Sequence, residues 1–449
     1  MNGENKSKKI KSGALKSVFR TYVQIPLIAR IAVGLAIGAL LGIIWPAMPF
    51  ISTLGTLFVG ALKAIAPILV FVLIISALST AGKGIGKRFG TVISLYIITT
   101  FFAAFIAVIF SYIFRISITL TDPPTGYTPP TDLFEVISSL LMKMIENPVS
   151  ALINGNYVGI LLWAILIGIA LRSLASENTK NLLADLSAGV SKIVGWIIQL
   201  APFGIIGLSF TAVSELGLKI FADYGFLLLL LIGCMLLVSF VINPFIIFLF
   251  LRRNPYPLVF RCLKESGIQA FFARSSAANI PVNMKLCRDL GLDEQYYSVA
   301  IPLGATVNMD GAAITITVMS LTAAFSTGAE PHIVVAFLLS FIATLGACGA
   351  SGVPGGSLLL IPMACSLLGV DAGVAMQMVG VGFMIGVIQD SVETALNSSG
   401  DVMFAATAEF IEWKKQGRPI YFTEKEKLAA AKKEALSANE NEEPSDIEK

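Results

Sequence analysis

The sequence predicts an all-α polytopic membrane protein with about eight apolar segments and two re-entrant helical hairpins. Three observations carry this expectation. Of the 449 residues, 55% are hydrophobic and only 14% charged, with a mean hydropathy of +0.80, a balance outside that of soluble globular domains. Charge-free apolar runs cover 31–62, 89–114, 225–251 and 331–370, and each exceeds the roughly 20 residues needed to cross about 30 Å of hydrocarbon. Two interruptions rich in small residues, each holding a proline, fall within the last two fifths of the chain.

Taken in order, the chain opens with a basic stretch, 1–22, whose Lys and Arg residues lie between Lys6 and Arg20. The apolar run that follows is too long for a signal peptide and shows no small-residue cleavage site, so it reads as a retained first helix. Further apolar candidates lie near 147–171, 193–214, 296–309 and 372–389. A cytoplasmic N-terminus puts Lys83, Lys87 and Arg88 inside after two crossings, and Arg252, Arg253, Arg261 and Lys264 inside after six. The intervening loops are lysine-poor, and 121–131 (TDPPTGYTPPT) has the Pro/Gly content of an external loop. The C-terminal segment 413–449 becomes charged and then acidic, as a cytoplasmic helix or disordered tail would be.

Composition also excludes classes. The net charge of +3 is small and the basic residues sit in short clusters between apolar runs, so nucleic acid is not a partner. Cys234, Cys262, Cys287, Cys348 and Cys365 show no paired spacing and read as packing residues rather than zinc ligands or disulfides. The lone His332 opens an apolar run and reads as interfacial, not as a ligand or proton relay.

The interruptions are ARSSAANIP at 273–281 and GACGASGVPGGS at 346–357, the second inside a run too long for one simple helix. Both read as tips of re-entrant hairpins; the alternative is a pair of loops outside the bilayer. Irregular backbone at membrane depth is tolerated only where it is buried in protein or lines a wet cavity. Two such segments, each followed by a helix with polar residues, fit a repeated carrier core with its site near the midplane.

The helix after the first hairpin, IPLGATVNMDGAAITITVM, places Thr306, Asn308 and Asp310 among apolar neighbours. An aspartate there is costly unless paired or bound to a cation. The last helix, VIQDSVETALNSSGD, spaces Asp390, Glu393, Thr394, Asn397 and Asp401 within an arc of roughly 100° on one face. Carboxylates, amide carbonyls and hydroxyls are hard oxygen donors, suited to a small hard cation such as sodium rather than to a transition metal. The competing reading of Asp310 and Asp401 is a buried ion pair, for which Arg274 is the main basic candidate.

Together ARSSAANIP, NMDGAA, GASGVPGG and TALNSSGD resemble the dicarboxylate/amino acid:cation symporter family, which includes the glutamate transporters, and most closely its bacterial serine/threonine:sodium symporter branch. The resemblance spans about 20–410. It implies a glutamate-transporter-like fold of eight transmembrane helices and two hairpins, a homotrimer in the bacterial inner membrane with both termini cytoplasmic, and an elevator-type transport domain. By this resemblance 23–255 is mainly scaffold and trimerisation helices, with part of the transport domain near 80–115, and 256–412 is the transport core. It implies sodium sites on Gly304, Asn308, Asn397 and Asp401; on Thr99, Thr100, Asn308 and Asp310; and on Thr306 with backbone carbonyls around Ala347, Cys348 and Ala350. Tyr96, followed by Thr99 and Thr100, suits the family's third helix. For substrate it implies Asp390 on the amino group, Asn397 with Ser275 and Ser276 on the α-carboxylate, and the second hairpin, including Gly352 and Val353, as extracellular gate.

Two departures bear on the substrate. Where the family's dicarboxylate carriers have an arginine facing the substrate side chain this chain has Glu393, and after NMDG it has Ala312. A carboxylate facing a carboxylate in a low-dielectric pocket costs several kcal/mol, which disfavours aspartate and glutamate. A serine or threonine hydroxyl would meet Thr394, Glu393 or Arg274, and one such hydrogen bond discriminates well. Arg274 has Glu393 or Asp390 as possible partner. The expected function is therefore import of small neutral amino acids with sodium and no organic cofactor. Its rivals are a proton- or sodium-coupled dicarboxylate carrier of the same family, an ion channel, which would need a continuous polar lining, and an intramembrane enzyme, for which the single histidine is badly placed.

Overall fold

The computed structural model describes residues 25–80, 86–120, 141–350 and 355–423, with the single positions 138, 426 and 428. The basic stretch Lys6 to Arg20, Lys83, the side chain of Lys87, the loop 121–131, and Gly352 and Val353 lie outside the described residues, as does nearly all of the charged tail beyond 423. Regular structure among the described residues is entirely helical, and seven helices there are long and apolar enough to cross a membrane.

The run 31–62, expected as one segment, is two helices, α1 (Leu27–Ile44) and α2 (Pro49–Thr80). The charge count overlooked Pro46 and Pro49: proline ends a helix that runs into it and is favoured where the next begins. α3 (Gly86–Phe114) follows, then α4 (Pro148–Asn154), α5 (Tyr157–Leu174), α6 (Glu177–Gln199) and α7 (Ala201–Leu216). Asn147, Asn156 and Ser176 start α4, α5 and α6 by accepting backbone N–H groups. α8 (Ile220–Leu251) contains a π turn at Val238–Ile242.

The first interruption folds as expected of a hairpin tip. α9 (256–273), with its own π turn at Leu263–Gly267, stops at Arg274 in the left-handed region (φ 50°), and Ser275 caps the returning α10 (Ser276–Asp289). The second hairpin consists of α13 (Ile333–Gly349), a 3₁₀ turn at Ser357–Leu360 and α14 (Ile361–Leu367), so 331–370 holds two arms rather than one span. His332 caps α13, its Nδ1 accepting from Val334 N at 3.2 Å.

Between the hairpins the expected single helix is broken in two, α11 (Glu294–Val307) and α12 (Asp310–Ser326), by non-helical backbone at Asn308 and Met309. Side chains from other helices compensate the break: Met309 N donates to Thr100 Oγ1 (3.3 Å) and Gly311 N to Asn397 Oδ1 (2.7 Å). α15 (Ala372–Lys415) closes the core and runs far beyond the apolar stretch 372–389.

Packing sorts these helices into two sets. α1, α2, α5, α6 and α7 pack chiefly on one another, and α3 and α9 to α15 form the other set around α12 and α15. α8 packs mainly on α3, α12 and α15, although it lies within 23–255.

Candidate functional site

The broken helix places its polar residues where α3, α8 and α15 converge. Asn308, fully buried, donates from Nδ2 to Asp401 Oδ1 and to Asn397 O, both at 3.1 Å, and its Oδ1 accepts from Thr99 Oγ1 at 3.4 Å. Asp310, also fully buried, accepts from Thr100 Oγ1 (3.1 Å) on Oδ1 and from Asn243 Nδ2 (3.0 Å) on Oδ2. Tyr96 donates its hydroxyl to the carbonyls of Asp401 (3.0 Å) and Ala300 (3.3 Å). Gly304 belongs to the same cluster: a Cβ there would lie 2.8 Å from the Tyr96 hydroxyl and 2.9 Å from Asp401 Oδ1. Eight expected or implicated positions, Tyr96, Thr99, Thr100, Gly304, Asn308, Asp310, Asn397 and Asp401, thus share one buried oxygen-rich cluster.

This donor set fits a small hard cation. The partners of Asp310 and Asp401 within the described residues are neutral amides and hydroxyls, so their charge is dispersed but not cancelled. Arg274, the basic candidate for them, is taken elsewhere: its Nε donates to Asp390 Oδ2 at 2.6 Å and its Nη2 to Gly386 O at 3.1 Å. One carbonyl oxygen at the cluster, Asn243 Oδ1, is buried with no donor among the described residues.

Asp390 joins the two hairpins. While Oδ2 holds Arg274 at the first tip, Oδ1 accepts from Gly355 N at 3.2 Å in the second. The open choice for Arg274 is therefore resolved toward Asp390. One turn further along α15, Glu393 Oε2 accepts from Gln389 Nε2 (2.6 Å), Thr315 Oγ1 (2.7 Å) and Ser357 Oγ (2.9 Å), all neutral donors. Thr394 Oγ1 donates to Asp390 O at 2.7 Å, Ser275 Oγ accepts from Ala278 N at 3.2 Å, and Ser276 is buried beside it. Asn397 uses both ends of its amide locally, accepting from Gly311 N and donating to Met309 Sδ (3.4 Å).

The third expected cation set lies apart. Thr306 is exposed, donates to Leu303 O at 2.9 Å, and lines a cavity of about 780 Å3 with Cys348 and Ala350, facing Ser191 and Lys192 of α6. Ala347 is buried, and its carbonyl accepts from Ala350 N at 2.9 Å.

Sequence reasoning missed a buried network behind the first hairpin. Asn279 Nδ2 donates to Ser398 Oγ (2.8 Å) and Ser266 Oγ (3.0 Å), and Asn283 Nδ2 to Ser398 O (3.0 Å), reaching Asp401 Oδ2 at 3.5 Å. Its signal was the i, i+4 amide pair on α10. Asn243, Gln389, Thr315 and Ser357 were missed as well.

The sequence profile of the sodium:dicarboxylate symporter family matches residues 27–410. The chain is 56% identical over 409 residues to the serine/threonine transporter SstT of Bifidobacterium adolescentis, covering 91% of this chain and 95% of that protein. It is 55% identical over 396 residues to SstT of Streptococcus agalactiae serotype III (88% and 98% covered) and 53% identical over 402 residues to SstT of Streptococcus thermophilus LMG 18311 (89% and 100% covered). This chain belongs to the sodium:dicarboxylate symporter family, and it is a multi-pass membrane transport protein rather than an enzyme.

Proposed function

We propose that this protein imports L-serine and L-threonine by symport with sodium across the bacterial inner membrane, its N- and C-termini in the cytoplasm. The observation that carries the reading is the pair of buried carboxylates, Asp310 and Asp401, surrounded by neutral oxygen and amide groups at a broken helix. The names of the SstT relatives support the substrates. Thr99, Thr100, Asn308 and Asp310 would hold one sodium, Gly304, Asn308, Asn397 and Asp401 a second, and Thr306 with carbonyls near Ala347, Cys348 and Ala350 a third. The substrate ammonium would take Asp390, its carboxylate the tip at Ser275 and Ser276 with Asn397, and its hydroxyl Thr394 or Glu393. Gly352 and Val353 would belong to the gate. The moving body in an elevator-type cycle would be α3 with α9 to α15, carried against the α1, α2, α5 to α7 scaffold of a homotrimer.

A zwitterion at the midplane is unstable without counter-charges, so carrier and gate move when both ligands are bound, and the coupling is reciprocal. Glu393, ringed by Gln389, Thr315 and Ser357, repels a second carboxylate and accepts a hydroxyl. Glu393→Arg is expected to reduce serine uptake by about 100-fold or more, the scale of a lost specific polar contact; uptake that stays intact would remove Glu393 from the pocket.

The decisive experiment is uptake of labelled serine, threonine and aspartate into proteoliposomes under a sodium gradient and then a proton gradient. Serine and threonine uptake driven by sodium alone is the expected result. Proton-driven uptake would overturn the coupling ion, and aspartate uptake would overturn the pocket, leaving Arg274 as the group that recognises an acidic side chain.

A further inference from the structure

We infer that Asn243 of α8 is a ligand of the cation held at Asp310, its amide standing in for that cation when the site is empty. The inference rests on the sodium-coupled reading above and extends it to a helix that reading leaves out.

Asn243 is fully buried in a charge-free stretch, between the π turn Val238–Ile242 and Pro244. Its N–H donates to Val238 O, five residues back. A π turn inserts a residue and so rotates the helix that follows, and such turns concentrate at functional positions. Here the residue delivered by the turn reaches Asp310: Asn243 Nδ2 lies 3.0 Å from Asp310 Oδ2.

The direction of this amide is dictated by chemistry. An ionised carboxylate only accepts, so the nitrogen must face it. The carbonyl end, Oδ1, is thereby left buried with no donor among the described residues, which is costly. An apolar residue at this position would avoid that cost. Half a turn of the amide puts Oδ1 where Nδ2 was, beside Asp310 Oδ2, the carboxylate whose other oxygen takes the Thr100 hydroxyl. Two oxygens in that relation repel unless a cation lies between them, and a hard cation accepts an amide carbonyl as readily as a carboxylate. Nitrogen toward Asp310 is thus the arrangement without a cation, and oxygen toward it the arrangement with one.

The test is sodium binding without substrate, by calorimetry on protein in nanodiscs, with choline keeping ionic strength fixed, for wild type, Asn243→Leu and Asn243→Asp. Size-exclusion profile and melting temperature confirm that each variant is folded. Asn243→Leu is expected to raise the sodium Kd about 10- to 100-fold, whereas Asn243→Asp, which keeps an oxygen and loses the donor, stays within about threefold of wild type or binds tighter. Unchanged affinity in Asn243→Leu, or Asn243→Asp as weak as Asn243→Leu, would show that the amide only supports Asp310 and would overturn the inference alone. A wild type that binds no sodium would overturn the sodium reading and the inference together.

Discussion

The bundle of α1, α2 and α7 and the core around α12 and α15 are both closely packed, but different contacts hold them. α1 presents Gly34, Gly38 and Gly42 at intervals of four to α7, where an added Cβ would lie 2.5 Å from Pro202 O, 2.3 Å from Ile206 O and 2.9 Å from Phe210 O. Gly207 of α7 meets Gly55 of α2 the same way, its Cβ position 2.2 Å from Gly55 N. In lipid, apolar side chains gain little by facing one another, so close backbone packing of small residues does the joining. The core instead buries Asp310, Asp390, Glu393 and Asp401 with the amides of Asn243, Asn279, Asn283, Asn308, Gln389 and Asn397. Shape fixes the first region and polar complementarity the second. Substitutions in the first region should therefore change stability alone, whereas those in the second should change ligand binding as well.

The largest expected effect is in the core. Asp310→Asn or Asp401→Asn removes a buried charge from the oxygen cluster, and the sodium needed for half-maximal uptake should rise about 100-fold or more, the scale of a buried charge losing its partner. Sodium titration of serine uptake checks this, and an unchanged midpoint would remove that carboxylate from the ion site. Comparable in size is Arg274→Leu, which leaves Asp390 buried without its cationic partner and should cost about 3–5 kcal/mol, most of it recovered in the Arg274→Leu/Asp390→Leu double variant. Denaturation of the single and double variants measures it, and additive losses would contradict the pairing.

On the other side of the comparison, Gly38→Leu forces a side chain into Ile206 O and should destabilise by about 1–3 kcal/mol through overpacking. Thermal unfolding should show the loss while the sodium Kd of surviving protein stays at the wild-type value. The smallest effect is expected of Gly189→Ala on α6, where nothing lies within 4 Å of the new Cβ; the change should be neutral or stabilise by up to about 1 kcal/mol. A large loss there would break the claim that contact, not glycine content, holds the bundle.

What the sequence made legible follows the same division. The stripe from Asp390 to Asp401 could be placed because helical periodicity alone puts those residues on one face, and each is buried. The first hairpin tip was legible from small and polar residues breaking an apolar pattern. The break at Asn308 and Met309 was not, because its local sequence continues a helix and the groups that compensate it, Thr100 and Asn397, come from far along the chain. Counting charges hid the α1–α2 turn, since Pro46 and Pro49 are uncharged. Attention to carboxylates likewise passed over Asn243, Asn279, Asn283 and Gln389, whose importance depends on what they face.

The measurement that bears most directly on coupling at this cluster is paired flux of radioactive sodium and labelled serine into the same proteoliposomes, with the membrane potential clamped at zero. Sodium entry that requires serine, and keeps a fixed ratio to it across serine concentrations, is the result this account predicts; serine accumulating without sodium entry would contradict it.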